Sequence, residues 1–140
     1  EQALLLHAMA RFDEAEPLLR EAMAINKKIL GEGHRLYATE LNNLARLLQA
    51  TGRYEEAELL YREALEIDEK TLGKHHPDCA TDLGNLAGLY HVMQRFDEAL
   101  PPTEQALAIW EATLGPEHPR TAESRQSLAA MRRDAEAGQD

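Results

Sequence analysis

The sequence predicts an all-α chain, a solenoid of antiparallel helix pairs with about seven helices. Three observations carry this. Ala, Leu, Glu and Arg are abundant while aromatic and β-branched residues are few, a helix-forming composition. The chain repeats with a period of 42: Arg11–Gly52 laid on Arg53–Gln94 gives 20 identities in 42 positions. Within each copy, apolar residues recur at helical spacing and are punctuated by glycine and proline.

A third copy follows from Arg95. Positions that agree in all three include Ala15/Ala57/Ala99, Ala22/Ala64/Ala106, Ile25/Ile67/Ile109, Gly31/Gly73/Gly115 and His34/His76/His118. The 140 residues are expected to form one domain, 1–140. It divides into a truncated first helix over 1–10, repeats over 11–52, 53–94 and 95–136, and a tail over 137–140. Helices are expected at about 1–10, 12–30, 35–51, 54–72, 77–93, 96–114 and 119–136. The chain opens with Glu1 rather than Met, so it is expected to be part of something longer.

The second copy shows the reasoning for each element. Tyr54, Ala57, Leu60, Tyr61, Ala64, Ile67, Thr71 and Leu72 recur at helical spacing, and Glu55, Glu58, Arg62, Glu66 and Glu69 fill the other side. Gly73 follows the last turn, where glycine can take the left-handed cap. Pro77 sits where a first helical residue belongs. Leu83, Leu86, Ala87 and Tyr90 form the next stripe. The small residues Ala15, Ala57 and Ala99, like Ala45, Ala87 and Ala129, let facing helices approach closely. In the last helix, 119–136, Arg125 replaces Leu41/Leu83 and Arg132 replaces Leu48/Tyr90. A polar outer face of that kind suits a terminal capping helix. In the first helix Leu4, Leu5 and Leu6 are expected to be partly exposed, which favours pairing with a second copy. Pro101-Pro102 conflicts with its helix. With Asp97 as the cap, Pro102 falls beyond the first turn and predicts a distortion there.

Several function classes fall away. Lys plus Arg number 15 and Asp plus Glu 25, a net charge of −10. A field of that sign repels nucleic-acid phosphates and anionic lipid heads, so neither partner is expected. The longest aliphatic run, Ala3–Leu6, is far below the roughly 20 residues of a membrane span. The single cysteine, Cys79, can form no internal disulfide, and a reducing, cytoplasmic compartment fits it. It is read as a buried structural thiol. His34, His76 and His118 recur at the repeat period, which points to a structural role at the helix joints rather than to a metal. No cofactor or metal is expected. No pair of carboxylates can be placed as a general acid and base, so the chain is not read as an enzyme.

Gly52, Tyr54, Ala57, Tyr61, Ala64 and Leu65 form a pattern that resembles the tetratricopeptide signature. The 42-residue period narrows this, as do the joints Leu72-Gly73-Lys74-His75-His76-Pro77 and Leu114-Gly115-Pro116-Glu117-His118-Pro119. Together they resemble the kinesin-light-chain type of repeat, with Arg35 departing from proline in the first copy. The resemblance implies a right-handed superhelix in which the first helix of each pair lines a concave groove for peptides or proteins. Carried over, the groove positions are Thr39, Asn42, Asn43, Arg46 and Gln49, then Thr81, Gly84, Asn85, Gly88 and His91, then Glu123, Gln126, Ser127, Ala130 and Arg133. Asn43 and Asn85 stand where family members hold a ligand backbone. An amide can pair with any peptide bond, or instead with its own helix. Gly84 and Gly88 either leave room for a guest or allow close helix packing. With Arg46 and Arg133 as the only cations on these positions, the usual lysine-rich carboxylate clamp is not expected. The leading functional expectation is a scaffold that holds a partner segment in this groove. The alternative is a structural or oligomerisation segment, a homodimer through exposed helix edges, with no peptide ligand.

Overall fold

A computed structural model describes residues 2–31 and 33–138, with side chains from Arg11 onward. Six α-helices and no strands are present among the described residues. They are α1 (Gln2–Leu30), α2 (Arg35–Ala50), α3 (Tyr54–Leu72), α4 (Pro77–Val92), α5 (Phe96–Leu114) and α6 (Pro119–Gly138). The last five match the sequence expectation. The first two expected helices are one, because α1 runs through position 10 without a break. Positions 10, 52 and 94 are equivalent, and Gly52 and Gln94 both take positive φ, +82° and +63°, where the chain turns. Ala10 instead stays helical. The expectations for Leu4, Leu5, Leu6 and the last two residues of the tail fall outside the described residues and side chains.

The chain falls into two compact units, Glu1–Ile67 and Asp68–Asp140, and α3 is continuous through the boundary. In the first, α1 meets α2, and the Asn26 amide donates to the buried Glu40 carboxylate. Leu19, Met23 and Asn26 share that face of α1, spaced i, i+4, i+7. Arg53, at the start of α3, binds both Glu56 at 2.9 Å and Glu16 of α1 at 2.5 Å. The hydrogen bond from Arg20 and then those from Arg53 hold the Glu16 carboxyl below its ordinary value, against an opposing contribution from burial. In the second unit, α5 packs on both α4 and α6. Ala99, Ala106, Ile109 and Trp110 of α5 are buried, as are Leu83, Leu86, Leu89 and Tyr90 of α4.

The joints repeat almost atom for atom. Gly31, Gly73 and Gly115 take φ of +94°, +92° and +89°, and each N–H donates to the carbonyl four residues back, at 3.0, 3.0 and 3.1 Å. The histidine three residues on then donates its N–H to the glycine carbonyl. Its Nδ1 accepts the backbone N–H two residues further: Leu36 to His34 at 3.0 Å, Asp78 to His76 at 3.0 Å and Arg120 to His118 at 3.1 Å. These histidines are N-caps, which explains their recurrence. Arg35 in place of proline leaves the first joint unchanged.

The helix α5 departs from expectation at its start. Its cap is Arg95, which forms no side-chain cap bond, so Pro101 and Pro102 lie at the sixth and seventh helical positions. Neither can donate to the carbonyls of Asp97 and Glu98, yet the helix is unbroken from Phe96 to Leu114.

Candidate interaction surface

The residues singled out from the sequence lie on α2, α4 and α6, the first helix of each pair. On α2, Thr39, Asn43 and Arg46 are exposed at i, i+4 and i+7, and so share a face. Asn42 is half-buried beside them. Gln49 is half-buried as well, and its side-chain oxygen accepts the Tyr61 hydroxyl at 3.0 Å. Gln49 therefore serves the contact between α2 and α3. The Tyr61 phenol is pushed up by burial, an effect the Arg46 charge opposes.

On α4, Thr81 and Gly84 are exposed, and Asn85, Gly88 and His91 are half-buried. Thr39 and Thr81 behave alike: each hydroxyl bonds the carbonyl four residues back, Arg35 at 3.2 Å and Pro77 at 3.4 Å. Asn43 and Asn85 differ from them, since neither amide bonds its own helix or any other described residue. A methyl added at Gly84 or Gly88 would meet no described atom within 4 Å. Close packing therefore does not require these glycines, and they leave open space on the face.

His91 is the exception on α4. Its Nε2 lies 2.7 Å from Asp134 Oδ2 of α6, and its ring meets Phe96 at 5.3 Å. The sequence offered no signal for this pair, which lies 43 positions apart. Beyond it, Gln94, Arg95, Phe96, Asp97, Glu98, Ala135 and Gly138 line a cavity of about 350 Å³. The Arg95 guanidinium stacks 4.6 Å from the Tyr90 ring centre and binds Glu98 at 2.5 Å. Arg11, Arg53 and Arg95 are identical in all three copies. That signal was present in the alignment of repeats and marks Arg53 and Arg95 as anchors at helix starts. On α6, Glu123, Gln126, Ser127 and Arg133 are exposed and Ala130 is half-buried.

Among the described residues no group of three His, Cys, Asp or Glu side chains is placed to hold a metal ion. No helix among them is long and apolar enough to cross a membrane. Cys79 is fully buried, and its thiol lies 3.3 Å from the Gly73 carbonyl. Burial, and then the carboxylates of Asp68, Asp82, Glu69 and Asp78, push it up to about 11. A thiol so placed is a structural group rather than a nucleophile.

Helix hairpins of one length, joined by one turn and presenting a polar row from every first helix, define a helical-repeat protein. The tetratricopeptide-repeat family profile matches residues 1–70, 41–102 and 79–137. The chain belongs to that family. It is similar to a kinesin-light-chain candidate from Podosopora anserina built of nearly identical TPR-like repeats. The identity is 32% and the TM-score 0.81, over 96% of this chain and 64% of that one. It is also similar to BtubC (BKLC) from P. vanneervenii, 29% identical with a TM-score of 0.83, over 96% of this chain and 54% of that one. The chain thus spans less than two thirds of these structures. A search of curated proteins found no match.

Proposed function

We propose that this chain is a protein-interaction scaffold that holds an extended or helical segment of a partner along α2, α4 and α6. Tetratricopeptide repeats are in general protein-interaction modules. The observation that carries the finer reading is the pair of unspent amides. Asn43 and Asn85 occupy equivalent positions, and neither bonds a described residue. Each could offer a donor and an acceptor to a guest peptide bond whatever the guest's side chains. Thr39 and Arg46 flank Asn43. The space at Gly84 and Gly88 flanks Asn85, and Gln126 and Arg133 extend the row on α6. Asn42, Gln49, Thr81 and His91 border it, Gln49 and His91 being partly committed to the fold. A reducing compartment such as the cytoplasm suits a chain with one thiol.

A peptide-display screen on the purified protein tests this. Binders should lose affinity on the order of tenfold or more when Asn43→Ala and Asn85→Ala are combined, for two lost bonds of about 1 kcal/mol each. Binders indifferent to the double change would place recognition elsewhere. A second reading, assembly without a peptide ligand, draws on a separate observation, the apolar face of α1.

A further inference from the structure

Equivalent positions in α1, α3 and α5 do not share the same fate. On α5, Pro102, Ala106 and Ile109 are buried. Thr103, Glu104 and Trp110, one step round that helix, meet Met131, Arg132 and the α6 cap region. So α5 is covered on two sides, by α4 and by α6. On α3 the counterparts Ala64 and Ile67 are buried too. The α1 counterparts are Leu18, Ala22 and Ile25. Leu18 is 67% exposed, Ile25 50%, and Ala22 is exposed as well. Among the described residues α1 is covered where it faces α2, and its Glu16 and Arg20 meet Arg53 and Glu56 at the start of α3, which leaves this stripe open.

The repeat pattern accounts for an apolar residue at those three positions but not at a fourth. Where α3 and α5 expose a threonine, Thr71 and Thr113, α1 carries Ile29, which is 71% exposed. The open stripe Leu18–Ala22–Ile25–Ile29 is therefore longer and more apolar than the repeat pattern requires. At 1.5 Å per residue it runs about 16 Å along α1. Beside the stripe, the exposed Glu21 and Lys28 lie on one flank, two turns apart. A second α1 running antiparallel brings Lys28 of each copy close to Glu21 of the other. It sets each Ala22 near the partner's Ile25, a small residue opposite a large one. Residues 11–30 carry four basic and four acidic groups, so the contact escapes the repulsion implied by the whole-chain charge of −10.

We infer that two copies of this chain pair antiparallel through the Leu18–Ala22–Ile25–Ile29 face of α1. The pairing gives concrete form to the assembly reading and does not depend on the peptide face. One helix face per copy falls short of the roughly 800 Å² per partner of a standard interface, so the dimer is a weak one.

Sedimentation equilibrium over a wide concentration range tests it. The weight-average mass should climb from 15.7 kDa toward twice that value as concentration rises. Ile25→Glu should weaken association at least about tenfold, and Lys28→Glu should weaken it in a salt-dependent way. Leu59→Glu, on an apolar side chain of α3 that is 68% exposed, should leave it unchanged. Circular dichroism of each variant checks that the helices persist. A monomer at every concentration would overturn the pairing and leave the stripe to another occupant. So would a dimer that ignores Ile25→Glu, or one equally sensitive to Leu59→Glu. Peptide binding that survives Ile25→Glu would show that the two surfaces are separate.

Discussion

At each joint a histidine nitrogen stands where a serine or aspartate oxygen caps most helices. Because Nδ1 accepts from the backbone of Leu36, Asp78 or Arg120, the ring proton of the neutral imidazole resides on Nε2. His118→Ala should cost about 0.5–2 kcal/mol and His118→Asn much less, since Asn can replace the acceptor. Urea denaturation of the two variants measures the difference. Cys79 gives a pH signature. Its folded pKa of about 11 lies above the ordinary 9.0, so the folded state holds the proton more tightly. The stability linked to this thiol is full below about pH 9 and is lost as pH rises toward 11. Wild type should lose more stability than Cys79→Ala between pH 8 and pH 10.5, by urea titration at each pH. Thiol reagents should label Cys79 at pH 8 only in denaturant.

The helices are where the sequence was most informative. Both glycines on α4 are open to a methyl, so Gly84→Ala and Gly88→Ala should each stabilise by about 1 kcal/mol in urea melts. If either change destabilises the protein, the glycine meets a neighbour after all. Boundaries of α2 to α6 were legible because glycine, histidine and proline mark them with local rules. The bounds of α5 were read correctly, but its cap was placed two residues late, at the acidic Asp97 rather than at Arg95, which forms no side-chain cap bond. The fused α1 was not legible because the periodic pattern continues on both sides of Ala10 with no glycine between them. On the candidate surface, the repeat made the equivalence of positions on α2, α4 and α6 readable. What was not readable was which of its members the fold itself uses. Gln49 turned to Tyr61 and His91 to Asp134 through tertiary contacts that no local spacing encodes.

For the molecule as a whole, the same 42-residue unit must serve interior and edge. Leu41 and Leu83 are 1% and 4% exposed, and Leu48 and Tyr90 are 0% and 2%. Their α6 counterparts Arg125 and Arg132 are exposed, held loosely to Glu111 at 3.6 Å and to Glu104 at 3.5 Å. Surface pairs of this kind add little stability. Their value is that they keep an edge polar. Arg125→Leu combined with Arg132→Tyr, the interior pattern, should leave helicity intact by circular dichroism. It should also make the protein self-associate in light scattering, at the α6 end rather than through α1. An unchanged hydrodynamic size would show that α6 does not act as a cap.

The three glycine–histidine turns close on their own atoms within a few residues, without borrowing a side chain from another repeat. A turn with that autonomy behaves like a standard coupling between carriages. Another 42-residue copy spliced in after Leu72 would find a matching fitting at both ends, so such chains can gain or shed whole units while every existing joint keeps its geometry.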